Sequence, residues 1–146
     1  MMKPATLAFG FLCAFLGVLF FHQATITFYH GMGWIPGPAF RQAPIPPLGV
    51  PQLWNACFWG GMWGILFAIL EPKRPAAMPF WLFAVVFCLL LPLVVGAWII
   101  VPLIKGTPLF ANGNTTAMLR SLGIYAVWGL GLALFWRGLP ALFRKG

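Results

Sequence analysis

The side chains able to do chemistry are few, and most gather at one end of the apolar runs. The stretch His22-Gln23-Ala24-Thr25-Ile26-Thr27-Phe28-Tyr29-His30 holds both histidines of the chain. On a helix, Gln23, Thr27 and His30 share one stripe, and His22, Thr25 and Tyr29 share an adjacent one. Gln52 and Asn55 open the next apolar run; Arg120, Ser121 and Tyr125 lie at the start of the last. Polar side chains in hydrocarbon face a bundle interior and bond to one another. Two outcomes follow. One is a hydrogen-bonded cap that ties three helices together. The other is a ligand pocket made from His22, Gln23, Thr27, His30, Asn55, Arg120 and Tyr125. There, Arg120 would offer a planar fork to phosphate or carboxylate, and His22 a titratable ring. A lipid head group, a small anion or a quinone would each suit such a pocket.

Catalysis finds little support. The chain has a single carboxylate, Glu71, at the opposite end of the runs from the histidines. Neither a paired-acid mechanism nor a Ser-His-Asp arrangement can be assembled, and no enzyme activity is expected. A proton-coupled carrier needs an acid in mid-membrane, and Glu71 sits instead beside Lys73 and Arg74 at a run's end. His22 and His30 are separated by about 12 Å of helical rise, too far to clamp one haem iron. Two lone histidines also make a poor metal site. No cofactor and no metal are expected. Cys13, Cys57 and Cys88 lie inside apolar runs without a CxxC pattern and read as small packing residues.

The elements that position these residues follow from composition. Of 146 residues, 62% are hydrophobic and 7% charged, against roughly 25% charged in soluble domains. Lipid is the solvent that fits. Four apolar runs, at residues 5–29, 52–70, 78–104 and 117–136, are long enough to cross a hydrocarbon core of roughly 30 Å. The expected fold is an all-α membrane protein of four transmembrane helices in an antiparallel bundle, one integral domain over residues 1–146. The first run is too long for a signal-peptide core and lacks a cleavage pattern, so it reads as a retained span. Residues 31–51, rich in Gly and Pro, form an extracytoplasmic loop whose apolar content predicts that it lies against the helices. Pro92 predicts a kink in the third span. The turn chemistry of residues 105–116 predicts a second loop.

Nine Lys or Arg against one acidic residue give a formal net charge of +8. The cations flank apolar runs rather than forming a patch on a folded surface, which argues against nucleic acid and for anionic lipid head groups. Lys3, Lys73, Arg74, Arg137, Arg144 and Lys145 fall on one side; Arg41, Lys105 and Arg120 fall on the other. The positive-inside rule then places both termini in the cytoplasm of a bacterium, with the protein in its inner membrane. Trp34, Trp54, Trp81 and Trp136 fall where an aromatic belt belongs.

Small residues recur at helical spacing. Ala56, Gly60 and Gly64 form a ladder on the second span, with shorter versions at Gly10, Ala14 and Gly17 and at Gly129 and Ala133. Such ladders let helices approach closely, either within the chain or in a homo-oligomer or partner seam. A shift of 65 residues aligns WGILFAIL (63–70) with WGLGLALF (128–135), pairs Pro75-Ala76 with Pro140-Ala141 and Gly31 with Gly96, and sets Asn55 opposite Arg120. That match suggests two tandem helical hairpins. With ladders and no catalytic set, the expected role is a non-catalytic accessory, assembly or scaffold subunit of a membrane complex. The alternative is a small transporter or a lipid-, anion- or quinone-binding protein that uses the outer polar cluster.

Overall fold

A computed structural model describes residues 2–143 of the chain. Four helices are long and apolar enough to cross a membrane: α1 (Pro4–Gly31), α2 (Gln52–Lys73), α3 (Phe80–Lys105) and α4 (Thr115–Phe143). The basic tail residues Arg144 and Lys145 lie outside the described residues.

Several bounds shift by one to three residues from the sequence reading, and one shifts further. The fourth helix does not stop at residue 136 but runs through Pro140 to Phe143. Trp136, placed in the aromatic belt from the sequence, is half-buried against the other helices. Its ring lies 5.4 Å from Phe9 and 5.2 Å from Phe67. The third helix begins at Phe80 instead of residue 78 because Pro79 provides its extended N-cap. Pro92, expected to kink α3, is absorbed in a π-helical run, Leu89–Ile100. Wider i→i+5 turns accommodate the missing N–H. A shorter π-helical turn, Val18–His22, interrupts α1.

The ends of the helices explain their lengths. Gly106 adopts a left-handed conformation (φ 65°), and the Thr107 N–H donates back to the Pro102 carbonyl at 3.0 Å, closing α3. Asn114 opens α4, its Oδ1 accepting the Ala117 N–H at 3.0 Å. For α2 the cap comes from the loop. The Gln52 and Leu53 N–H groups donate to the carbonyls of Ala43 and Arg41 at 3.0 and 2.9 Å, filling first-turn donors that Pro51 has no side chain to satisfy. The loop also folds a minimal antiparallel ladder, β1 (Pro44–Ile45) on β2 (Val50–Pro51), with Pro44 opposite Pro51 and Ile45 opposite Val50.

Glycines set the helix contacts. A Cβ on Gly64 would overlap the Gly10 carbonyl and the Ala14 methyl, and one on Gly60 would meet Val18. The small-residue ladder of α2 is thus filled by α1 of the same chain. On α4, Gly129 faces the Ala84 and Val85 backbone of α3, and Gly131 faces Phe21 of α1. Phe67 of α2 is fully buried and gathers Phe80, Phe83 and Phe87 of α3 with Trp136 of α4. The three cysteines are buried and free.

Candidate functional site

Where α1 leaves its π-helical turn, His22 points into the bundle. Its ring meets Tyr125 edge-on at 5.5 Å and Trp128 at 6.2 Å. Tyr125 and Trp128 stand 5.5 Å apart on α4. The Trp128 indole N–H reaches across to the Ala14 carbonyl at 3.1 Å. Gly17 makes that approach possible, since a Cβ there would strike the indole.

Gln23 is the pivot of the cluster. It is 5% exposed, and its Nε2 lies 3.3 Å from His22 Nδ1. With the amide donating, Nδ1 is an acceptor and the ring proton sits on Nε2. The other half of the amide, Oε1, accepts the backbone N–H of Phe40 at 2.8 Å. Phe40 sits at φ 56°, a left-handed conformation that costs a bulky residue roughly 1–2 kcal/mol. One buried side chain therefore joins the helix, the histidine and a strained residue of the Pro-rich loop. Gln23→Ala is expected to leave the Phe40 amide without its acceptor, at about 1–3 kcal/mol. Limited proteolysis should then cut within residues 32–51 at rates that leave the helices intact. Equal cutting of wild type and variant would show that the amide does not hold the loop.

The remaining predicted site residues separate from this trio. Thr27 Oγ1 donates to the Gln23 carbonyl at 2.9 Å, one turn back on its own helix, and the residue is exposed. Thr25 likewise donates to the Phe21 carbonyl at 2.9 Å. His30 is exposed, with Nδ1 3.2 Å from the Ile35 carbonyl where the chain turns after α1. The stripe of Gln23, Thr27 and His30 thus has only Gln23 facing inward. Tyr29 instead lays its hydroxyl against Gly123, and Ser121 accepts the Trp98 N–H at 3.2 Å. Asn55 and Arg120 are half-buried and make no side-chain hydrogen bond among the described residues. Two clefts lie elsewhere, beside Lys73 and beside Arg137. No cluster of three or more His, Cys, Asp or Glu able to hold a metal occurs among the described residues.

Trp128 and Phe40 complete the site and were not singled out from the sequence. The Trp-Gly pair at 128–129 is a visible signal for the first. Nothing marks Phe40, because its role is played by a backbone N–H.

Comparison with protein-family models, with characterised proteins and with solved structures gives no match. The chain is read from its own residues.

Proposed function

We propose that the chain is a non-catalytic accessory, assembly or scaffold subunit of a larger complex in the bacterial inner membrane. The observation that carries this reading is the outward face of α2. Trp54, Phe58, Trp59 and Met62 are all exposed there, Trp59 at 55%. Trp59 lies about 10 Å along the helix from its first residue, deeper than a head-group belt. Trp98 and Trp128 spend their indole N–H groups on Ser121 and Ala14; Trp59, like Trp54 and Trp63 on the same helix, has no acceptor among the described residues. An unpaired donor in hydrocarbon costs several kcal/mol, and a partner helix that supplies an acceptor removes that cost.

The bundle itself is read as antiparallel, with both termini cytoplasmic. Contacts in support run in opposing order: Phe9 with Trp136, Gly17 with Trp128, Tyr29 with Gly123. Tandem hairpins are also supported. Across the 65-residue shift, Gly64 and Gly129 each face the backbone of their own hairpin partner, and Phe67 and Leu132 are both fully buried. The first helices of the two hairpins match at a shift of 75 instead, pairing Pro4 with Pro79, Cys13 with Cys88 and Gly31 with Gly106. The shift falls because the second hairpin has the shorter loop.

A photo-reactive benzoylphenylalanine placed at position 59 tests the subunit reading. One discrete cross-linked species with a foreign protein is expected in native membranes, and none from position 134 on α4. Equal diffuse labelling at both positions would remove the support from α2. The unpartnered Asn55 and Arg120 favour a second reading, a small transporter or binding protein for an anion, lipid or quinone at the outer end.

A further inference from the structure

Between α2 and α3 the contacts include Phe67 on Phe83 and Trp63 on Gly96. Beside these contacts lies a cleft of about 290 Å³ walled by Leu70, Phe83, Val86, Phe87, Leu90 and Leu91, with Lys73 at its rim. Apart from Lys73, every lining residue is aliphatic or aromatic. The chain ends this side of the bundle in Glu71-Pro72-Lys73-Arg74-Pro75, a turn closed by the Arg74 N–H on the Glu71 carbonyl at 3.0 Å. Arg74 donates a terminal guanidinium N–H to the Met78 carbonyl, which fixes its charge next to Lys73, while its Nε has no acceptor. Glu71 is the one acidic side chain of the whole chain, so two cations, Arg74 held and Lys73 exposed, stand beside a single anion. An apolar slot with Lys73 on its rim and Arg74 next to it in the chain has the shape and charge of one kind of molecule.

We propose that this cleft holds an acyl chain of an anionic phospholipid whose phosphate rests on Lys73 and Arg74. Hydrocarbon fills the slot between α2 and α3, where side chains alone leave it open, and the phosphate supplies the anion the turn lacks. The charge sum selects an anionic lipid over a zwitterionic one, because phosphatidylcholine brings its own cation. The cleft of about 370 Å³ on the other side of α3 differs: its cation, Arg137, already stacks on the Phe80 ring at 4.2 Å. This inference rests on the membrane-spanning reading and is independent of any partner subunit.

The test uses the full purified chain in nanodiscs of equimolar phosphatidylglycerol and phosphatidylcholine with identical acyl chains. Lipid retained after detergent release is quantified by mass spectrometry. Retained lipid is expected to be enriched in phosphatidylglycerol. Lys73→Gln, at an exposed position, should lower that preference about fivefold, equivalent to ~1 kcal/mol for one cation at an anionic surface. Leu90→Trp, at an exposed edge of the cleft, should reduce retention of both lipids by filling the slot. Retained lipid in the bilayer ratio would overturn the proposal. So would an enrichment that neither variant changes, since that would reflect the other basic ends. Partner chains are read as protein masses and lipids as small ones, so failure here and failure of the subunit reading remain distinct.

Discussion

Gly64→Leu is expected to prevent α1 and α2 from docking, and Gly64→Ala to cost about 3 kcal/mol, the upper part of the usual range for overpacking. The reason is what a side chain at Gly64 would hit. Its nearest neighbours are the carbonyl oxygen and carbonyl carbon of Gly10 and the Cβ of Ala14. None of these is the far end of a flexible side chain, so the helices must part. With the helices in lipid, as proposed, this matters more than it would in water. Helix association there depends on close van der Waals packing, because lipid tails are as apolar as the partner helix. Gly138 is the natural control, since nothing among the described residues lies within 4 Å of a Cβ built there. Gly138→Ala should be neutral or slightly stabilising through lost backbone entropy in the unfolded state. Unfolding titrations in mixed micelles, followed by tryptophan fluorescence, would compare the two. Equal midpoints for Gly64→Ala and Gly138→Ala would contradict the packing described for α1 and α2.

Phe67→Ala is expected to cost about 3 kcal/mol, the low end of the range for buried Phe→Ala in soluble cores. The ring is 0% exposed and has four aromatic neighbours, with centroids at 5.2 Å from Phe87 and Trp136, 5.7 Å from Phe83 and 6.1 Å from Phe80. Most of its contribution is dispersion and shape, since the unassembled helix would have its ring solvated by lipid. The cavity left by alanine therefore dominates the loss. Phe67→Leu, closer in volume, should cost less than about 1.5 kcal/mol. Phe58, also on α2 but 48% exposed, provides the comparison, and Phe58→Ala should leave the midpoint almost unchanged. Matching losses at positions 58 and 67 would remove Phe67 from the centre of the bundle.

The helices were legible because span length and loop chemistry are written locally. Gln52 begins α2 as expected, directly after Pro51, and the polar stretch from Lys105 separates α3 from α4. What escaped was set by partners distant in sequence. The contacts of Trp136 with Phe9 and Phe67 are of this kind. Gly64 belongs to a ladder in the sequence, but only the fold reveals that α1 fills it. The π-helical turns also escaped, since their wider hydrogen bonding has no compositional mark beyond Pro92 in α3. The site followed the same division. His22, Gln23 and Tyr125 share one neighbourhood, as the stripe on α1 and the start of α4 suggested. Thr27 and His30 turn away because nearby carbonyls satisfy them, at Gln23 and Ile35. The link from Gln23 to Phe40 could not be read, because its acceptor serves a backbone amide in an irregular loop.

The subunit reading stands or falls on what travels with the chain through a mild extraction. Native mass analysis of the full chain, taken from its own membranes with wild-type sequence and with Trp59→Ala, measures this directly. The expected result is a foreign protein at fixed stoichiometry with the wild type and its loss from the Trp59→Ala variant, while the variant remains folded. A self-standing chain or homo-oligomer that carries only a small bound molecule would contradict it, and would turn attention to Asn55 and Arg120.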